Sequence, residues 1–178
     1  MDIVVLTGSP HKNGTSFLLA DEFIKGAKEK EHEIYRFDCA FKKVHPCIGC
    51  DKCECGNNKC IFDDDMNELY HKLQEADVIV YVTPLYYHGF SAQIKAVIDR
   101  FHGINSSLRG SNKKAMLIVT AAYPEKWVFE GIVKTFETDL RYLKWENAGT
   151  LLAYNCAIRK DIENTNYPKQ AYEMGNSI

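Results

Sequence analysis

Short apolar runs of strand length alternate with longer amphipathic stretches from one end of the chain to the other, and this alternation limits the fold more tightly than any single motif. The strand candidates are residues 3–6, 33–37, 78–83, 115–121 and 150–156. Helical patterns cover 16–30, 64–76, 92–101 and a stretch near 125–143, with a last helix around 169–174. Parallel strands need crossovers long enough to hold a helix, so the pattern predicts a doubly wound parallel α/β sheet with helices on both faces. Met66, Leu69, Leu73 and Ala76 fall on one helical face, as do Ile94, Val97, Ile98 and Phe101. Both groups read as core stripes. At 178 residues and 46% hydrophobic, the chain has material for one well-buried core. A single domain over 1–178 is expected, with a Cys-rich loop at 39–62.

In an open α/β sheet, ligands bind beyond the carboxyl ends of the strands. The loops that fall there are 8–16, 83–91 and 120–126, together with the segment after residue 37. The first is Gly8-Ser9-Pro10-His11-Lys12-Asn13-Gly14-Thr15-Ser16, a small-residue turn between a strand and a helix. Helix N-termini carry amides without intrahelical acceptors and a partial positive charge, which makes this an anion site. Neither G-x-G-x-x-G nor a terminal Gly-Lys-Ser/Thr is present. Hydroxyls of Ser9, Thr15 and Ser16 around Gly14 instead suit a terminal monophosphate. The competing reading is an ordinary helix cap at Asn13 or Thr15. The second loop, Thr83-Pro84-Leu85-Tyr86-Tyr87-His88-Gly89-Phe90, suits a flat conjugated ligand covered by aromatic faces and met at its edge by turn amides. The same aromatics would also serve to plug the sheet or form a subunit interface.

A net charge of −2 and no basic block argue against a nucleic-acid surface. No apolar run approaches membrane-spanning length, and Met1-Asp2 leads straight into a strand, so a cytoplasmic protein without membrane contact is expected. Seven cysteines are present, and five of them crowd between Cys47 and Cys60. That crowding points to ligation or redox chemistry rather than a disulfide scaffold. Cys47-x2-Cys50-x2-Cys53 followed by Cys60 has the tight spacing of iron–sulfur ligands, and four nearby thiolates would equally hold zinc or remain reversibly oxidised thiols. The extra Cys55 leaves the fourth ligand open. Cys39 and Cys156 read as packing residues. Asp63–Asp65 read as helix-start caps rather than a cation site, and Asp99-Arg100 as structural. Trp127 and Phe129 either cover a ligand or anchor their helix.

The turn at 8–16 combines with Pro46-Cys47-Ile48-Gly49-Cys50-Asp51-Lys52-Cys53, Cys60-Ile61-Phe62-Asp63-Asp64-Asp65-Met66, Ala76-Asp77, Thr83-Pro84-Leu85-Tyr86 and Lys95-Ala96-Val97-Ile98-Asp99-Arg100-Phe101. In these segments the chain resembles the flavodoxin-like NAD(P)H-dependent FMN reductase family, in the branch that includes iron–sulfur flavoproteins. The resemblance implies a five-stranded sheet of order 2-1-3-4-5. It implies FMN, with Ser9, His11, Thr15 and Ser16 on the phosphate and Asn13 and Gly14 shaping the turn. Pro84, Leu85, Tyr86 and Tyr87 would pack on the isoalloxazine, beside His88 and Gly89, and Thr120, Ala121 and Ala122 would close its other side. His11 stands where many relatives place Arg, which implies weaker or pH-dependent FMN binding.

The activity implied is transfer of hydride from NAD(P)H to bound FMN, followed by electron transfer to a second acceptor. An iron–sulfur electron-transfer module with a [4Fe-4S] cluster on Cys47, Cys50, Cys53 and Cys60 is the first rival. Relatives that keep cysteines here without a cluster, and Cys55 itself, tilt the expectation slightly away from it. The second rival is a redox-sensing flavin-binding regulator. A homodimer is expected, since Tyr86, Tyr87, His88, Phe90 and Trp127 would otherwise leave a large aromatic surface around the flavin.

Overall fold

The computed structural model describes residues 1–54 and 59–178; Cys55 lies outside the described residues. Five strands form one sheet: β1 (Asp2–Thr7), β2 (Glu33–Asp38), β3 (Val78–Pro84), β4 (Lys114–Thr120) and β5 (Glu146–Ala153). Every pairing is parallel and the order is β2-β1-β3-β4-β5, as expected. The helices are α1 (Thr15–Lys28), α2 (Met66–Glu75), α3 (Ala92–Asp99), α4 (Asn105–Leu108), α5 (Glu130–Leu143), α6 (Arg159–Glu163) and α7 (Tyr167–Asn176).

Side chains alternate across each strand and sort into two cores. Ile3, Val5, Val78, Val80, Val82, Met116 and Ile118 face α1, α6 and α7. Val4, Leu6, Ile79, Tyr81, Leu117 and Val119 face α2, α3, α4 and α5. Both predicted helical stripes lie in the second core, with Ile98 only partly buried.

Several boundaries differ from expectation, each for a local reason. The helical pattern over 92–101 changes at Arg100 into a 3-10 turn, Arg100–Ile104. Another 3-10 turn, Lys126–Phe129, precedes α5. The fifth strand begins at Glu146 rather than Thr150 and ends at Ala153, where Asn155 takes a left-handed conformation (φ 57°) and turns the chain off the sheet. Cys156 is therefore not a strand residue.

The register aligns the strand ends at one edge. Thr7 pairs with Val82, Pro84 with Thr120, and Thr120 with Ala153. Loops leaving β1, β3, β4 and β5 consequently meet above the same edge. On the α1 face the helices approach closely: a Cβ on Gly26 would lie 2.1 Å from the Tyr172 carbonyl oxygen, and one on Gly175 would lie 2.1 Å from that of Phe23. Only glycine lets the α1 and α7 backbones pack at this separation.

Candidate functional site

The β1–α1 turn is built from its own hydrogen bonds. The His11 amide donates to Ser9 Oγ at 3.1 Å, and the Gly14 amide donates to the His11 carbonyl at 2.9 Å. Gly14 occupies the N-cap position in extended conformation, and no side chain caps the helix. The ordinary-cap reading at Asn13 or Thr15 therefore does not describe this helix start. No acidic residue lies in the first turn of α1. That turn borders the cleft, and the partial positive charge of its amides is not offset by an acidic side chain, as an anion requires.

Three hydroxyls gather beneath the turn. Thr15 Oγ1 donates to Thr120 Oγ1 at 3.0 Å, and Ser16 Oγ lies 2.8 Å from the same oxygen. Ser9, Ser16 and Thr120 are buried. Ser91, a residue that the sequence reading passed over, ties this turn to the β3–α3 loop. Its Oγ donates to the Gly8 carbonyl at 2.7 Å, and its amide donates to Thr83 Oγ1 at 3.2 Å.

One cleft of about 750 Å³ gathers residues 9–16 with Pro84, Leu85, Tyr86, Thr120, Ala121 and Ala122. Its remaining wall is Cys156, Ala157, Ile158 and Arg159, which sequence reasoning missed because no motif marks them. Cys156 is buried, as a packing residue would be, and burial pushes its thiol up. The same segment nonetheless borders the cleft.

Tyr87, His88 and Gly89 do not line that cleft. Tyr86 and Gly89 exchange two backbone hydrogen bonds, 3.2 and 3.1 Å, closing a tight turn with Tyr87 (φ 46°) and His88 (φ 63°) at its centre. Two non-glycine residues with positive φ in succession are strained. The turn holds Tyr87 fully in solvent and places His88 against Trp127, ring centroids 5.2 Å apart. With Leu85, Ala121, Ala122, Tyr123 and Val128 they line a second, aromatic cleft of about 440 Å³. Leu85, Ala121 and Ala122 are shared by both clefts. Trp127 is thus half-exposed on the cleft, whereas Phe129 is buried in the core.

Cys47, Cys50, Cys53 and Cys60 all border one small cavity of about 20 Å³, with Phe62, Tyr70, Arg100 and His102 among its other walls. Burial pushes the Cys53 thiol up, with further contributions from Cys60, Glu54 and Cys47. Among the described residues, no three of these thiols have their sulfurs within 4.8 Å of one another. A tetrahedral zinc site with Zn–S near 2.3 Å would hold them roughly 3.8 Å apart.

Both flanks of the loop converge on Arg100. Its guanidinium donates to the His45 carbonyl at 2.8 Å and to both Asp64 oxygens at 2.8 and 3.2 Å, and it sits 5.2 Å from the Phe62 ring centroid. Asp64 also accepts the amides of His45 and Met66, 3.0 and 3.1 Å. Burial alone would raise the Asp64 carboxyl. Hydrogen bonds from Arg100 and the His45 amide, the Arg100 charge and the Met66 amide outweigh it and hold the carboxyl below its usual 3.8. Of Asp63–Asp65, only Asp64 accepts a helix amide, that of Met66. Asp65 holds the N-cap position without a side-chain cap bond and accepts the Lys43 amide, and Asp63 accepts the Asn67 side-chain amide. The run thus braces the start of α2 more than it caps it, and Asp64 belongs to a buried ion pair as well.

The model of the family described as NADPH-dependent FMN reductase matches residues 1–129. An iron–sulfur flavoprotein of Methanocaldococcus jannaschii is 33% identical over 122 residues, 68% of this chain and 63% of that protein. An iron–sulfur flavoprotein of Archaeoglobus fulgidus is 45% identical over 98 residues, 55% of this chain and 49% of its own. The chain therefore spans between about half and two thirds of the length of these curated relatives. The solved NAD(P)H:quinone oxidoreductase from Methanothermobacter marburgensis superposes with a TM-score of 0.75 at 16% identity, covering 98% of this chain and 94% of that one. An azoreductase from Bacillus anthracis superposes with a TM-score of 0.72 at 14% identity, covering 99% of each. These two likenesses are of fold.

Proposed function

The chain belongs to the NADPH-dependent FMN reductase family, and from that premise we propose that it is an FMN-dependent oxidoreductase, one domain over 1–178, that draws on NAD(P)H and serves a second acceptor. The observation that carries this reading is the 750 Å³ cleft, where an uncapped helix start and the loops from β3 and β4 border one volume. Bound FMN would supply the redox chemistry, accepting hydride from NAD(P)H and passing electrons on.

The protein's part is to bind and orient. Amides of the α1 first turn, with Ser9, Thr15 and Ser16, would hold the phosphate, and Asn13 and Gly14 shape the turn. His11, in this reading, contributes an exposed imidazole at the rim. Pro84, Leu85 and Tyr86 would cover one side of the ring system, and Thr120, Ala121 and Ala122 the other. Tyr87 and His88, displaced to the second cleft, would face the acceptor or the nicotinamide rather than hold the flavin, and Gly89 closes their turn. FMN is favoured over FAD because the turn suits a terminal phosphate. Mass analysis of the cofactor released from purified protein, with anaerobic bleaching of the bound flavin by NADH or NADPH, tests the proposal. Loss of riboflavin-type absorbance from a folded, reconstituted protein would defeat it.

A second reading adds an iron–sulfur cluster, which turns the protein toward single-electron transfer. It is favoured by four thiols around one cavity and by relatives named iron–sulfur flavoproteins. Cys47, Cys50, Cys53 and Cys60 would be the ligands. Iron content of anaerobically purified protein, compared with Cys50→Ser, decides between cluster and free thiols. The described cysteines are all unbridged, which suits a reducing, cytoplasmic setting, and no helix among the described residues is long and apolar enough to cross a membrane. The exposed aromatics Tyr86, Tyr87, Tyr123 and Trp127 support a homodimer with the second cleft at its interface. Sedimentation showing only monomer with FMN bound would count against it.

A further inference from the structure

β5 ends at the carboxyl edge of the sheet, and the next few residues fold back to form the β5-side wall of the large cleft. Most of the polar groups on that wall are already engaged. The Ala157 and Ile158 amides both donate to Asp161 Oδ2 at 3.0 Å, and the Cys156 amide donates to the Ala121 carbonyl at 2.9 Å. What the wall offers a ligand is therefore the side chain of Arg159. Its Nε donates to Glu163 Oε1 at 2.8 Å, an i,i+4 pair that steadies the stem and leaves the two terminal nitrogens outside that bond.

The fold places this cation on the same cleft as the anion site. α6 packs against α1 and shares its face of the sheet through the buried Ile162. Arg159 is the first residue of α6, so it stands at the carboxyl edge, where α1 also begins. The turn itself carries no guanidinium. Its His11 is an imidazole, and Lys12, which also lines the cleft, rests its ammonium 4.5 Å from the Phe41 ring centroid.

Resting on the FMN reading above, we infer that Arg159 closes the phosphate subsite from the β5 side and supplies the guanidinium that the turn lacks. A planar, permanently charged fork can meet two phosphate oxygens at once, which an imidazole cannot do. The residue lies beyond the 1–129 span matched by the family, so the charge comes from a part of the chain that the family pattern does not reach. The specificity that follows is for the phosphorylated flavin over riboflavin.

The test measures FMN and riboflavin affinities of the full chain by flavin fluorescence, for the wild type, Arg159→Met, Arg159→Lys and Glu163→Gln. Arg159→Met is expected to weaken FMN about tenfold or more while leaving riboflavin unchanged, and to flatten the dependence of FMN affinity on salt. Arg159→Lys should recover part of the loss. Glu163→Gln, which removes the helical ion pair and keeps the cation, should leave both affinities in place. Equal weakening of both flavins, or an FMN affinity unchanged in Arg159→Met, would overturn the assignment while leaving the FMN reading intact. A wild type that binds neither flavin would overturn both.

Discussion

At the scale of single residues, the site depends on groups that serve the protein as well as the ligand. Ser9 Oγ accepts the His11 amide, so Ser9 fixes the turn and, in the proposed function, also offers a hydroxyl to a phosphate. Replacing both Ser9 and Thr15 with Ala is expected to weaken FMN by about 1–3 kcal/mol, read by titration of the apoprotein. Asp64 and Arg100 are each 2% exposed and hold both flanks of the thiol loop. Because the folded carboxyl is held below 3.8, the pair stabilises the protein fully above that pH, and its contribution fades as pH falls through the depressed folded value. Asp64→Asn should therefore cost about 3 kcal/mol near neutrality, with the gap from wild type closing below roughly pH 4 in denaturant titrations. The acidic run was legible in the sequence as a helix start. Its partner was not, since Asp64 and Arg100 stand 36 positions apart and nothing local signals that they meet.

Among the elements, what could be read in advance was whatever repeats. Strands alternate apolar residues and long helices repeat them every three to four positions, so the sheet order and both stripes on α2 and α3 followed from periodicity together with the family resemblance. Pieces shorter than two turns carry no such period. α4 and α6 were invisible for that reason, and with α6 went the fourth wall of the cleft. The turn at Tyr87 and His88 was missed differently: its residues are poor formers of the backbone they adopt, so composition pointed to a loop over the flavin, whereas the strained turn sets them on the second cleft. The α1–α7 crossing is the element-scale feature most open to attack. Gly175→Ala would drive a methyl toward the Phe23 carbonyl, and a loss of about 1–3 kcal/mol is expected, seen as a lowered melting temperature with FMN stoichiometry unchanged.

For the molecule as a whole, the family model covers the first three connections of the sheet and stops at the end of the 3-10 turn before α5, while the fold continues to α7 without a break in either core. α1 is the member that joins the two ends: its first turn faces the cleft, and its Gly26 end is locked to the final helix. A ligand that binds only the ordered first turn must then lend its binding energy to the far end of the same rod. At a hundredfold excess over the dissociation constant that amounts to about 2.7 kcal/mol of added resistance to opening. Amide exchange in α7, remote from any contact with the flavin, should slow when FMN is added and should not respond to riboflavin if the phosphate is what orders the turn. In that sense α7 would work as a gauge of cofactor occupancy, readable by exchange or limited proteolysis without observing the flavin itself.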